Sequence, residues 1–136
     1  MEYTVRVQWG DTDAAGIVFF PNYYKWMDEA THALFSEIGF PTDKLLREYI
    51  AIPLLETYCL FKKAVTYNVD LTVQTSVEFV KDKVFKISYR FYLDGELMAE
   101  GYGVRAWTST EGKLKAVPIP EQIRELLLQH KVKECV

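Results

Sequence analysis

One stretch constrains the fold more than any other. Between Pro21 and Ile38 apolar residues recur every three or four positions, at Tyr23, Trp26, Met27, Ala30, Leu34 and Ile38. That spacing predicts a helix of at least four turns with a single apolar stripe. Pro21 opens it, because a first-turn N–H would have no partner anyway, and Gly39 and Pro41 end it. A stripe this broad, with Trp26 and Phe35 beside it, needs a large apolar surface to lie on. The chain around it changes to period two, which is the pattern of half-buried strands. Tyr3, Val5, Val7 and Trp9 alternate with Thr4, Arg6 and Gln8. Alternation returns from residue 54 onward, most clearly at Val69, Leu71, Val73, Thr75, Val77 and Phe79 and again at Phe85, Ile87, Tyr89, Phe91 and Leu93. Lys81-Asp82-Lys83 and Asp94-Gly95 read as hairpin turns, the second because Gly accepts positive φ. Residues 96–108 return as a strand in which Gly101 and Gly103 share a face open to close approach. A short helix over 42–50, capped by Thr42 with Leu45, Leu46 and Tyr49 inward, and a terminal helix after Pro118 and Pro120 complete the prediction. One long helix segregated against an antiparallel sheet is an α+β architecture. Such a sheet keeps free edges, and pairing through an edge is the natural route to a dimer.

The chain has 136 residues, which suits one domain spanning 1–136. Sixteen basic residues against nineteen acidic ones give a formal charge of −3, so the footprint of a nucleic-acid binder is missing. Two cysteines, Cys59 and Cys135, and two histidines, His32 and His130, support neither a disulfide scaffold nor a multi-histidine metal centre. The alternating N-terminus is no signal core, and no apolar run approaches the length of a membrane span. A cytoplasmic protein without membrane partners is the expectation. Nucleophile elbows and phosphate-binding Gly loops are missing from the sequence. What remains is acidic chemistry in the first loop. Asp11 and Asp13 lie between a strand and a helix N-terminus, where unpaired N–H groups and the helix dipole can stabilise an oxyanion. The competing reading is that either Asp merely caps a turn.

The run Trp9-Gly10-Asp11-Thr12-Asp13-Ala14-Ala15-Gly16-Ile17-Val18-Phe19-Phe20-Pro21-Asn22-Tyr23-Tyr24-Lys25-Trp26-Met27-Asp28 resembles the signature of the 4-hydroxybenzoyl-CoA thioesterase family. That family has the hotdog fold, an antiparallel sheet wrapped around one long helix. The resemblance implies a hydrolase that converts an acyl-CoA and water to the free acid and CoA, with no metal and no cofactor beyond the CoA of the substrate. It assigns Asp13 as the catalytic carboxylate, which attacks the thioester carbonyl or activates a water. Asp11 becomes a structural acid, and the backbone N–H of Phe20 the donor that polarises the carbonyl. Phe20 stands where aliphatic-acyl relatives often carry His, so the resemblance is to the aromatic-acyl branch, in which a phenyl ring can pack on the acyl group. Asp28 matches a position near the hydroxyl of the substrate ring, and Tyr24 flanks the same helix face. Trp26 reads as core, and His32 as a surface histidine opposite the stripe. Lys81 and Lys83 lie where the family holds coenzyme A, although Asp82 interrupts them, and Arg105 matches a phosphate-binding Arg. Ala51-Ile52-Pro53-Leu54 departs from the aromatic branch and makes that side of the pocket more apolar. The leading expectation is therefore a thioesterase for 4-hydroxybenzoyl-CoA or gentisyl-CoA, assembled as a homotetramer of hotdog dimers. The alternatives are a short- or medium-chain aliphatic acyl-CoA thioesterase and a non-catalytic acyl-CoA-binding protein.

Overall fold

The computed structural model describes residues 1–132, so Cys135 lies outside the described residues. β1 (Glu2–Val7) leads into a 3₁₀ turn (Trp9–Asp11) and the long helix α1 (Pro21–Glu37). There follow α2 (Thr42–Arg47), β2 (Ile50–Ala51), β3 (Leu54–Phe61), β4 (Val69–Val80), β5 (Val84–Leu93) and β6 (Glu96–Ala106). β7 (Thr108–Ser109), β8 (Lys115–Ala116) and α3 (Glu121–Leu128) close the chain. The main sheet is antiparallel in the order β1-β4-β5-β6-β3, and β2-β7-β8 form a small second sheet. This is the hotdog fold. The apolar stripe of α1 supplies Tyr23, Trp26, Met27, Ala30, Leu34 and Ile38 to the core, where they meet the inward residues of the strands, among them Leu71, Val73, Phe85, Ile87 and Phe91.

The hairpins follow the expected turn chemistry. Asp94 (φ 49°) and Gly95 (φ 80°) both sit in the left-handed region between β5 and β6, as a two-residue primed turn requires. β6 then carries the close approach its glycines suggested. A Cβ on Gly101 would lie 2.3 Å from the Tyr58 carbonyl oxygen of β3, so only Gly fits between these strands.

Several local expectations fail for identifiable reasons. Trp9 does not continue the inward face of β1; it is 75% exposed. The Asp11 carboxylate takes the Gln8 N–H at 2.8 Å and the Asp11 N–H bonds Gln8 O at 3.0 Å, which coils the chain before Trp9 can extend it. The second helix stops at Arg47 and not at residue 50. Tyr49 takes φ 63°, so Leu46 and Tyr49 lie exposed and only Leu45 packs inward. Pro41, not Thr42, occupies the cap, and the Thr42 hydroxyl lies 2.7 Å from Nδ1 of His32. His32 is in consequence half-buried and not a free surface side chain.

β3 is an edge strand. Leu54, Leu55, Tyr58, Leu60 and Phe61 are all exposed on it, a run of apolar side chains on the kind of edge that lone sheets protect.

Candidate active site

The loop after β1 builds the first half of the site. Asp13 is turned by its own side chain: Oδ1 accepts the Ala15 N–H at 2.9 Å, and its carbonyl accepts the Gly16 N–H at 2.9 Å. Its N–H bonds Ile17 O, and Val18 is pinned to Val65 O. The capping reading of Asp13 is thus true of its geometry, yet one turn leaves the second carboxylate oxygen unused. Asp11 spends its side chain on Gln8 N–H and its carbonyl on the Phe19 N–H and the Asn22 amide. It ties the loop to the start of α1.

At that start most donors are consumed. Pro21 has no N–H, Asn22 donates to Phe19 O at 3.0 Å and Tyr23 to Phe20 O at 3.2 Å. Among the described residues the Phe20 N–H has no acceptor. It therefore carries both an unspent bond and the positive end of the helix dipole. Asp13 and Phe20 line one cavity of about 320 Å³ with Ile17, Tyr23, Phe61 and Val65. Its wall is aromatic. The Phe20 ring meets Phe19 at 5.4 Å and Phe61 at 6.4 Å, and Tyr23 meets Phe61 at 5.1 Å.

Other nucleophiles nearby are silent. Burial pushes the Cys59 thiol up to about 12, leaving almost no thiolate at neutral pH. Burial, and then the neighbouring Cys59, push the Tyr23 phenol up to about 12. Among the described residues no cluster of His, Cys, Asp and Glu could hold a metal ion.

The second half of the expected site lies elsewhere. Tyr24, Asp28 and Arg105 line a smaller cavity of about 130 Å³ with Met27, Leu54, Thr57, Tyr89 and Gly103. Phe20 and Asp28 are eight positions apart, about 12 Å along the helix axis. Arg105 is not a rim arginine. It is only 6% exposed, with one guanidinium nitrogen 2.8 Å from Asp28 Oδ1 and another 2.9 Å from Ile52 O. Its expected place at a coenzyme phosphate is corrected to this internal ion pair, because the guanidinium is buried and its two terminal nitrogens bond Asp28 and Ile52 O. Burial raises the Tyr89 phenol, against the lowering effect of its bonds to Thr31 and Arg105, so Tyr89 stays protonated.

Lys81 and Lys83 are exposed at the β4–β5 turn, with the Lys81 ammonium over the Phe79 ring. Within one chain they do not approach Asp13. Val7, just before the Asp13 loop, pairs with Val69 at the far end of β4, and the strand spans about 36 Å between the two ends. The lysines that do line the Asp13 cavity are Lys62 and Lys63, which the sequence reading passed over. Lys62 lies 3.5 Å from Glu100, and Lys63 pairs with Glu96. A basic pair directly after an apolar strand was the available signal.

Residues 7–127 match the model of the Thioesterase-like superfamily. The chain belongs to that superfamily. It is a thioester hydrolase of the hotdog fold. Among solved structures, a gentisyl-coenzyme A thioesterase is 42% identical with a TM-score of 0.84, over 93% of this chain and 98% of that one. The 4-hydroxybenzoyl-CoA thioesterase of Pseudomonas sp. (strain CBS-3) is 28% identical over 130 residues, covering 89% of this chain and 92% of the relative. A 1,4-dihydroxy-2-naphthoyl-CoA hydrolase of Picosynechococcus sp. is 31% identical over 99 residues, 71% of this chain and 68% of the relative. No described helix is long and apolar enough to cross a membrane.

Proposed function

We propose that this protein hydrolyses the thioester of a hydroxylated aromatic acyl-CoA, of the 4-hydroxybenzoyl or gentisyl type, to the free acid and CoA. The observation that carries the reading is that Asp13 and Phe20, whose N–H is unspent, line one aromatic-walled cavity. A thioester carbonyl placed between them has a donor for its oxygen and a carboxylate for its carbon. Charge develops on that oxygen as the carbonyl becomes tetrahedral, and a fixed amide is worth most at that point. Asp13 either adds to the carbon, expelling CoA thiolate to leave a mixed anhydride that water cleaves, or takes a proton from the attacking water. Both routes consume one water and need no metal and no cofactor beyond the substrate's own CoA. Relatives named for three hydroxylated aromatic acyl groups support the substrate class.

The reading includes a second copy of the chain. Antiparallel pairing of two β3 edges about their midpoint sets Leu54 opposite Phe61 of the other copy. Leu54 lines the Asp28 cavity and Phe61 the Asp13 cavity, so each active site takes Asp13 and Phe20 from one chain and Tyr24 and Asp28 from the other. Two such dimers make the homotetramer, and Lys81 and Lys83 reach a coenzyme only across copies. One observation favours an aliphatic acyl group instead. Arg105 also borders an apolar cavity of about 450 Å³ lined by Leu45, Leu46, Ile50 and Ile52.

Steady-state hydrolysis of 4-hydroxybenzoyl-, gentisyl-, benzoyl- and butyryl-CoA decides between them. A higher kcat/KM for the hydroxylated aryl esters is expected. A preference of several decades for butyryl-CoA rejects the aromatic reading, and tight binding without turnover rejects catalysis.

A further inference from the structure

Asp28 is held from both sides. Arg105 approaches Oδ1 at 2.8 Å and the His32 Nε2 approaches Oδ2 at 3.2 Å. Each holder is itself held, Arg105 by Ile52 O at 2.9 Å and His32 by the Thr42 hydroxyl at 2.7 Å. The chain of contacts runs from the start of α2 through α1 to β6 and on to the segment before β3. We propose that His32 and Arg105 are positioning residues, which fix the Asp28 carboxylate so that its remaining lone pairs accept the hydroxyl of the substrate ring. The inference rests on the hydroxylated-aryl reading above and adds to it the residues that enforce the hydroxyl preference.

The chemistry of the chain fixes one proton. A carboxylate only accepts, so the His32 Nε2 must carry hydrogen and donate to Asp28. Nδ1 then accepts from the Thr42 hydroxyl while the ring is neutral. When the ring is protonated, Nδ1 donates and Thr42 accepts. The clamp persists in either state because Thr42 can play both parts. Without clamps a carboxylate turns about its last torsion, and its lone pairs lose a fixed direction.

Stability does not account for the arrangement. A half-exposed i,i+4 pair such as Asp28–His32 adds little to it. A buried guanidinium is costly even when paired, and Arg105 leaves its Nε without a partner among the described residues. The cluster also opens onto a cavity where a core would be filled. Gly103 keeps that space free, since a Cβ there would meet Leu54 Cδ2 at 3.3 Å. A ring that brings a hydroxyl pairs with the waiting acceptor, and a ring that lacks one strands it, which is the source of strong discrimination.

The test is the ratio of kcat/KM for 4-hydroxybenzoyl-CoA over benzoyl-CoA in the wild type and in His32→Ala, His32→Gln, His32→Asn and Thr42→Val. The ratio is expected to fall about tenfold in His32→Ala, while the melting temperature moves by less than about 2 °C, because the side chain is half exposed. Gln reaches the Nε2 position with its amide nitrogen and restores the ratio; Asn reaches only the Nδ1 position and does not. Thr42→Val lowers the ratio by releasing the ring. A His32→Ala ratio equal to the wild-type value overturns the proposal, as does failure of Gln to do better than Asn. A wild-type enzyme that turns over both esters equally refutes the hydroxylated-aryl reading, and the positioning role falls with it.

Discussion

Replacing Asp13 by Asn separates charge from shape. The side-chain Oδ1 accepts the Ala15 N–H at 2.9 Å, and an amide oxygen in the same place accepts the same bond. The side chain is exposed, so no buried group is stranded by the change. The stability cost is therefore about 0.5 kcal/mol, a shift of about 2 °C in Tm for a domain of this size. The chemical cost is much larger. An amide can neither add to a thioester carbon nor take a proton from water at neutral pH, and a positioned carboxylate contributes about 10²–10⁴ in rate. At about 1.4 kcal/mol per decade the barrier rises by about 3–5 kcal/mol. The Phe20 N–H is untouched and leaves a residual rate. The assay is release of free CoA thiol from the best ester of the panel, beside a thermal melt and calorimetric titration with the same ester under conditions of negligible turnover. Retained melt and binding with a kcat lowered by at least two decades are expected. A variant within about tenfold of wild-type kcat refutes Asp13 as the reacting group, and an unfolded variant refutes the turn geometry on which the argument stands.

The remaining predictions concern the frame around that acid. Gly101→Ala drives a Cβ to within 2.3 Å of a backbone oxygen of β3, so a strand must shift; a loss of about 2–3 kcal/mol and about 8 °C in Tm follows. Gly10→Ala, with nothing within 4 Å, changes stability by less than about 0.5 kcal/mol, and coincident melts of the two variants would contradict the close β3–β6 packing. Partial burial and the N-terminal ammonium lower the His130 pKa below the usual 6.5, with Glu37 opposing them. The unfolded chain then binds that proton more readily, so this contribution to stability is full above 6.5 and is lost as pH falls from there toward the folded-state value. Urea midpoints at about pH 7.5 and about pH 5.5 should diverge less in His130→Gln than in the wild type; equal divergence removes His130 from the account. Leu55→Glu with Leu60→Glu sets like charges opposite each other across a β3–β3 pair, and sedimentation should then find monomers with little hydrolysis. An intact oligomer would exclude the β3 edge as the pairing surface.

The helix and the long strands were legible because each satisfies a single period over many residues. Tyr23 to Ile38 keep one face of a helix, and Val69 to Val77 keep one face of a strand, so no tertiary information was needed to place them. The alternation expected to reach Phe79 is broken by a β-bulge after Val77, which pairs Phe79 with Lys86 and turns Val80 inward opposite Phe85. Trp9 misled for the same reason in reverse. It continues the period of β1, but the Asp11 carboxylate, two residues further on, competes for the Gln8 N–H and wins. Short-range side-chain bonds of this kind leave no trace in hydrophobic spacing. In the site, the loop and helix start could be read because Asp13, Phe20 and Pro21 are close in sequence. The pairing of Asp28 with Arg105 spans 77 positions, and nothing local to either residue reports it. Arg105 was expected at a coenzyme phosphate because it matches an Arg of the resembled family; its burial against Asp28 and Ile52 O depends on partners distant in sequence.

The two cavities and the edge strand make one physical argument. β3 is eight residues long, and it borders the Asp13 cavity at Phe61 and the Asp28 cavity at Leu54. A strand cannot bend to join its own two ends, so in the proposed reading these cavities are two half-sites of one chain. In that reading an isologous pair inverts the strand direction and brings unlike halves together twice. The apolar residues that make the free edge a hazard are then the residues that build the walls of the pocket. Assembly and catalysis draw on the same surface in this reading. Mutations at Leu54 or Phe61 should therefore change affinity between copies and KM for the ester together, whereas changes on the outer face of β4 should move neither.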